Sequence, residues 1–410
     1  MMTAKKKILW LGSYQSEELF RKMLARNIGQ ASGYASQKGL IKGLDAILDT
    51  DTVLDTIGVI SYPAYPVYPK KKVEREEWKR TKSSRDVCIG YGNIKYLTYL
   101  SRAHALKKEV KLWAKTKAGV EENTVFIYEP SVAKLKAALY LKKRFGAKIF
   151  VIIPDIPELV NLGAGKLLKI GKQLSAKKQR KLFKQVDGFI LYSAHMADYY
   201  GFKDGSWILM EGVFDPSEAE ISAEEKENDG TLRMMYCGAL DEFRGIPQLL
   251  DAFDTLRDRP YELWLTGAGR SDSLIKERVA NDPRIRHFGY LDSRDDVLKL
   301  QSEVDILIHT RDVSSPAAPY CFPSKLFEYL VTGKAVISVR IPGIPDEYFD
   351  YMTPIETLTA DGIRDAIRAA VETDAEQRRS RGSKAREFVL TQKNSAVQAQ
   401  KIMDFVKSKE

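Results

Sequence analysis

The sequence predicts an α/β protein made of two successive parallel-sheet domains, and three observations carry that reading. Short apolar runs alternate with segments whose apolar residues recur at helical spacing, first over residues 7–210 and again from residue 232. In the second series a glycine follows strand after strand, at the sheet edge where such folds gather ligands. Charge also changes sign along the chain: residues 1–190 carry a net +20 and the remainder −10, within a total of +10. At 410 residues the chain has room for two or three domains.

The first series opens with a strand at 7–12 running into Gly12. A helix over 35–48 (Leu40, Leu44, Ile47, Leu48) and a second strand at 52–60 follow. Residues 62–82, with several prolines and tyrosines and the run Lys70-Lys71-Lys72, read as an exposed excursion. A basic helix at 96–117, a strand at 125–128, a helix at 132–145 ending on Gly146 and a strand at 148–153 continue the alternation. Asp155 stands just past that strand, between Pro154 and Pro157, either at a ligand edge or as the cap of the next helix. Residues 163–186 are the most basic piece. Lys166, Lys169, Lys172, Lys177, Lys178, Arg180, Lys181 and Lys184 are interleaved with an apolar stripe, which suits an anionic bilayer or an ordinary domain helix. Strands at 188–192 and 207–210 close the half, and an acidic linker-like stretch spans 216–230.

The second series places strands at 232–236, 261–266, 285–288 and 304–309, the first three ending on Gly238, Gly267 (with Gly269) and Gly289. Helices are expected at 246–256, 271–280, 294–300 and 363–371, with one long closing helix at 383–406. The organising stretch is Tyr320–Ile337. There Ser324 reads as the N-cap of a helix running to Leu330, Gly333 ends it, and Ala335-Val336-Ile337 starts a buried strand. Lys325 and Glu328 on the first turn, beside a helix N-terminus, suit a nucleotide's diphosphate and its hydroxyls. An ordinary capped helix with a solvated Lys–Glu face fits the same residues.

The run Phe322-Pro323-Ser324-Lys325-Leu326-Phe327-Glu328-Tyr329-Leu330, with Gly333 to Ile337, resembles the donor-site signature of bacterial GT-B glycosyltransferases of family 4. The resemblance covers residues 230–345 well and the first half only by topology. It implies two Rossmann-like domains facing across a cleft: 1–212 for the acceptor, 213–385 for the sugar nucleotide, and a closing helix in 386–410 packing back towards the first. It implies retaining, metal-independent transfer with no cofactor. Of the family's paired glutamates the second falls on Glu328, while Tyr320 stands at the first. The segment 238–245 is similar to the family's diphosphate grip, with Arg244 at the lysine position and Ala239 at the arginine position. Pro154 replaces a histidine before Asp155, and Glu211-Gly212-Val213-Phe214-Asp215 resembles the hinge Asn-Gly-Val-Asp with one insertion.

On this resemblance Arg244, Lys325, Glu328 and Asp155 are the catalytic candidates. Gly238, Gly267, Gly269, Gly289, Tyr320 and Ser324 join Lys325 and Glu328 at the donor, and Gly12, Gly33 and Asp155 lie on the acceptor side. Arg244, Lys325 and the helix start near Ser324 would steady the leaving diphosphate. The single Asp-x-Asp, Asp49-Thr50-Asp51, precedes a strand and so reads as a turn, with no metal site expected. The expected acceptor is a polyprenyl-diphosphate-linked or other glycan. The basic half is expected to meet an anionic membrane surface and not nucleic acid, which places the protein in the cytoplasm against the inner leaflet. Cys88, Cys237 and Cys321 are too few and too scattered for a disulfide framework or a zinc site. A sugar-nucleotide epimerase using His104, His195, His287 or His309, and a non-catalytic sugar-nucleotide-binding partner, are the alternatives.

Overall fold

The computed structural model describes residues 6–26, 31–116, 122–159, 166–218, 229–291 and 293–409. The side chains of the first turn of the basic stretch (166–170) and most of the acidic stretch (219–228) lie outside the described residues. The chain divides into two compact units: residues 1–213 with 395–410, and residues 214–394.

Unit 1 contains strands β1 (Lys6–Gly12), β2 (Thr52–Gly58), β3 (Lys72–Val73), β4 (Glu76–Trp78), β5 (Asp86–Cys88), β6 (Tyr91–Gly92), β7 (Glu122–Tyr128), β8 (Lys148–Ile153), β9 (Gly188–Leu191) and β10 (Trp207–Leu209). Its helices are α1 (Glu17–Leu24), α2 (Ala31–Ile47), α3 (Thr98–Lys115), α4 (Val132–Phe145), α5 (Lys166–Phe183) and α6 (His195–Tyr200). Eight strands form one sheet in the order β10-β9-β8-β7-β1-β2-β5-β4, parallel except at β4. The strand order reverses about β1 and β7, the topological switch where ligands bind in open sheets. Apolar runs without alternation, such as Ile8–Leu11 and Ile149–Ile153, are buried on both faces, as helix-covered parallel strands must be. The excursion expected at 62–82 is instead partly built in. Tyr62 and Tyr68 are buried with ring centroids 4.6 Å apart, and β4 extends the main sheet. Arg80 fixes that edge by binding Asp45 at 2.6 Å and the fully buried Asp86.

Unit 2 contains β11 (Leu232–Cys237), β12 (Tyr261–Thr266), β13 (Ile285–His287), β14 (Ile306–His309), β15 (Ala335–Val339) and β16 (Thr353–Ile355), ordered β13-β12-β11-β14-β15-β16 and parallel throughout. Helices α7 (Ile246–Asp254), α8 (Asp272–Asn281), α9 (Arg294–Ser302), α10 (Lys325–Val331), α11 (Ala360–Glu372) and α12 (Ala375–Gln392) belong to it. Here the order reverses between β11 and β14. The single helix expected at 383–406 is two: α12 ends at Gln392, and α13 (Ser395–Lys407) begins after a break at Lys393-Asn394. The helical periodicity runs through the break, so it left no sequence signal. α13 packs on α2, with Ile402, Phe405 and Val406 buried. Glycines make the approach close: a Cβ on Gly43 would lie 2.0 Å from the Ser395 carbonyl oxygen.

Candidate active site

The reversal between β11 and β14 brings together the ends of both strands, and the donor-motif residues gather there. β11 ends at Cys237. Its backbone N–H donates to Tyr329 Oη at 3.0 Å, and its carbonyl accepts from Tyr329 Oη at 3.3 Å and from Lys325 Nζ. Buried Tyr329 and half-buried Lys325 therefore fasten α10 to the strand end. The charge of Lys325 favours the Cys237 thiolate and that of Glu328 disfavours it, so both side chains flank this residue, whose thiol burial pushes up. Ser324 does not cap α10. It adopts helical φ/ψ, is exposed, and makes no side-chain cap hydrogen bond. The first turn closes instead through Leu326 N–H to the Pro323 carbonyl at 2.9 Å and Phe327 N–H to the Ser324 carbonyl at 3.1 Å. The aromatic contacts of Phe322 with Phe327 and Tyr348 hold the approach to the helix.

Arg244 lies on a short turn that is stapled to the segment after β14. Thr310 Oγ1 donates to the Arg244 carbonyl at 2.5 Å, and Asp312 N–H donates to the Phe243 carbonyl at 2.9 Å. That pairing places Arg311 beside Arg244, and Arg311 is the residue the sequence reading missed. Three cations, Lys325, Arg311 and Arg244, act on His309 at the end of β14. Burial first, and then these charges, hold its imidazole down at about 3. His309 is buried with Nδ1 3.0 Å from Ser338 Oγ, so it is a neutral prop beneath the cluster. Arg311 and Arg244 also favour ionised Tyr236, against the burial that pushes its phenol up. Arg311, in the segment after β14, thus adds positive charge alongside Arg244, while position 239, in the loop after β11, is alanine. The legible signal was an arginine two residues beyond a predicted strand.

The glycines of the site differ in what surrounds them. Cβ atoms on Gly267 and Gly269 would lie 1.8 Å from the Gly238 carbonyl oxygen and 2.2 Å from the Leu240 carbonyl oxygen. These two glycines let the loops after β11 and β12 stack on each other, and the space in question is filled by backbone. Gly238, at φ +144, leaves the room that Lys325 Nζ occupies, 2.2 Å from where its Cβ would be. Gly289 has φ +67 with no atom within 4 Å of a Cβ, so it meets a turn requirement. Tyr320 sits half-buried on a 3₁₀ turn before the motif. The remaining histidines do not join the cluster. His287 Nε2 is 3.4 Å from the Gly267 carbonyl oxygen, and His104 and His195 are exposed in unit 1.

Unit 1 carries a cavity of about 590 Å³ at the ends of β1, β2 and β7. Ser13, Gly33, Tyr34, Ser61, Arg102, Glu129 and Lys134 are among its lining residues. Gly12 is not. A Cβ there would meet Gln37 Oε1 at 2.1 Å, so the glycine admits Gln37, which accepts from Trp10 Nε1 and Ser13 N–H and ties β1 to α2. Asp155, exposed beyond β8, is also outside the lining; it lies near Tyr192, whose hydroxyl meets Ser36 Oγ at 2.5 Å. Glu129 and Lys134 were not foreseen. Glu129 has φ +52, and buried Lys134 donates to the Tyr128 and Glu129 carbonyls at 2.7 and 3.0 Å, a clamp on that turn. Burial pulls the Lys134 ammonium down to about 8. Asp49-Thr50-Asp51 forms the expected turn before β2, with Thr52 Oγ1 donating to Asp49 at 2.6 Å.

Residues 231–372 match the family model described as Glycosyl transferases group 1. No curated protein matches the chain in sequence. Similar solved structures include sucrose-phosphate synthase from Thermosynechococcus elongatus, 14% identical, with 98% of each chain covered and a TM-score of 0.62. HepE from Anabaena, in complex with UDP, is also 14% identical at a TM-score of 0.62, covering 98% of this chain and 100% of its own. The lipopolysaccharide outer core galactosyltransferase WaaB in its apo form is 12% identical, with 98% and 100% covered and a TM-score of 0.61. The fold is therefore GT-B, two Rossmann-like domains in one chain. Its second unit holds a group 1 glycosyl transferase domain, and the chain is a glycosyltransferase.

Proposed function

We propose that this glycosyltransferase moves a sugar from a nucleotide-diphosphate sugar to a glycan or lipid-linked acceptor in bacterial polysaccharide biosynthesis, with retention and without a metal ion. The observation that carries the reading is the cluster of Arg244, Arg311 and Lys325 at the reversal between β11 and β14, inside the group 1 domain. As the bond from the sugar to the diphosphate breaks, negative charge gathers on the leaving phosphate, and preorganised cations stabilise that state more than the ground state. Lys325 exchanges the Cys237 carbonyl for a phosphate oxygen, and Glu328 accepts from the ribose hydroxyls. UDP in the HepE structure, at matching fold, favours a nucleoside diphosphate as the leaving group. Asp155 orients the acceptor hydroxyl, and a polyprenyl-diphosphate-linked glycan suits the basic character of residues 1–190. Among the described residues no helix is long and apolar enough to cross a membrane, and we assign the protein to the cytoplasmic face of the membrane as a peripheral enzyme.

Incubation with UDP- and GDP-sugars, with and without a lipid-diphosphate acceptor, tests this through release of nucleoside diphosphate. Acceptor-dependent release supports it. A new sugar nucleotide without net release would mean an epimerase, and binding without turnover a non-catalytic partner.

A further inference from the structure

We propose that a face of unit 1 built from residues 64–72 and 93–100 docks on an anionic bilayer by inserting Val67, Ile94, Tyr96, Leu97 and Leu100 among the headgroups. The proposal rests on the lipid-linked acceptor read above and locates the contact that such an acceptor requires. Among the described residues, seven of the fifteen large exposed hydrophobic side chains lie in these two short segments. Tyr96 is 87% exposed, Val67 80%, Leu100 65%, Leu97 55% and Ile94 47%. Clustered apolar surface of this kind marks a protein or membrane contact.

The segments are fixed to each other. Fully buried Asn93 donates Nδ2 to the Pro63 carbonyl at 2.8 Å and its N–H to the Lys71 carbonyl at 2.7 Å, while Tyr65 N–H donates to the Asn93 carbonyl at 3.0 Å. β3 and β6 pair antiparallel beside this junction. Leu97 and Thr98 N–H groups both donate to the Ile94 carbonyl, at 3.0 and 2.9 Å, in a tight turn that carries Tyr96 at φ +68. The apolar side chains are thus presented outward by a hydrogen-bonded platform.

Charge selects the partner. Neither residues 56–73 nor 87–108 contain an aspartate or glutamate. Lys70, Lys71 and Lys95 are exposed, with Lys71 Nζ 5.3 Å from the Tyr65 ring centroid and Lys95 Nζ 5.4 Å from that of Tyr96. Glu74, next along the chain, is occupied by Lys72 at 2.9 Å. Aliphatic residues and tyrosines ringed by lysines are the composition of an interfacial anchor on anionic lipid. By contrast, Leu174 is the one large exposed hydrophobic among the described side chains of α5, so the described part of that helix presents mainly charge. Tyr99 and Arg102, on the first turns of α3, line the unit 1 cavity. A headgroup carried on lipid would reach that cavity while its chain stayed in the bilayer.

The test is flotation of the purified chain with phosphatidylcholine vesicles, with and without phosphatidylglycerol. Wild type is expected to float with anionic vesicles. The triple variant Tyr96→Ser, Leu97→Ser, Leu100→Ser is expected to lose about tenfold or more in partitioning, since apolar burial anchors interfacial segments. Lys177→Glu, Lys178→Glu, Lys181→Glu, on α5, should lose less than that. UDP calorimetry, which reads unit 2, and circular dichroism should be unchanged in both variants. Unchanged flotation of the serine variant would overturn the proposal, as would a wild-type dimer that the serine substitutions convert to monomer. Vesicle binding needs no donor and transfer to a short soluble acceptor needs no vesicle. A protein that floats but never transfers would refute the proposed function alone.

Discussion

Replacing Lys325 by alanine separates a catalytic cation from a structural one. In the fold its ammonium donates to the Cys237 carbonyl, which retains Tyr329 Oη at 3.3 Å when the lysine goes. The stability cost is therefore one hydrogen bond to a still-partnered carbonyl, about 1 kcal/mol. At the transition state the loss is larger. Removing one preorganised donor from a developing oxyanion costs about 2.7–4 kcal/mol, or roughly 10²–10³ in kcat. Arg244 and Arg311 remain, so donor binding should weaken far less than turnover slows. The assay is steady-state nucleoside diphosphate release, giving kcat and donor KM, alongside urea unfolding. NMR titration of His309 gives an independent readout: Lys325 is the leading charge holding that imidazole near 3, and its removal should raise the pKa. A rise in KM at unchanged kcat would mean uniform binding, and no kinetic change would leave Lys325 a clamp on Cys237 only.

Glu328→Gln should leave the fold intact and weaken donor binding by ~1.5–3 kcal/mol in calorimetry, as expected for a charged acceptor on ribose hydroxyls; unchanged affinity would remove that role. Gly238→Ala puts a methyl where Lys325 Nζ rests, at a φ of +144 that L side chains rarely adopt, and should lower stability in chemical denaturation; an unchanged midpoint would contradict the assigned resting position of the lysine. His309 titrates at about 3 in the fold against 6.5 unfolded, so the unfolded chain binds the extra proton between those values. Stability should then fall as pH drops from 6.5 towards 3, by up to about 1.4 kcal/mol per unit from this group, and the slope should flatten in His309→Gln. Arg80→Ala leaves the 0% exposed Asp86 without its guanidinium and should destabilise unit 1 by about 3–5 kcal/mol, checked by chemical denaturation.

Much of the fold was legible because parallel strands and their covering helices write different periods into the chain. The helix at Val132–Phe145 with its Gly146 cap, and the strands Lys148–Ile153 and Tyr261–Thr266, fall where the pattern puts them. The break between α12 and α13 was hidden because helical spacing continues across Lys393-Asn394. Of the site, Lys325, Glu328 and Arg244 were readable from one motif and its neighbour, and they do gather at one strand reversal. Arg311 was not, because a cation after a strand acquires meaning only when the chain order places that strand at the reversal. Gly267 and Gly269 have close neighbours in the Gly238 and Leu240 carbonyls that the sequence did not name: it shows that backbone must come close, without showing to what. Glu129 and Lys134 escaped because a lysine at helical spacing looks solvated until its Nζ is found between two carbonyls.

The two crossings between units lie side by side: Phe214 N–H donates to the Lys393 carbonyl at 3.0 Å, and Phe214 bridges Asn394. Unit 2 is therefore an insert whose two ends already touch, while unit 1 is written in two instalments separated by the whole of unit 2. During synthesis the sheet around β1 emerges first but lacks α13, whose Phe405 approaches Phe150 at 5.7 Å and whose Gln398 Nε2 donates to the Gly212 carbonyl at 3.0 Å. The faces reserved for that helix stay open until residues 395–407 have left the ribosome, so unit 1 is begun before unit 2 and completed after it. A chain stopped at residue 213 should be retained by chaperones or aggregate, whereas residues 214–394 can be cut out as one continuous piece and fold as made.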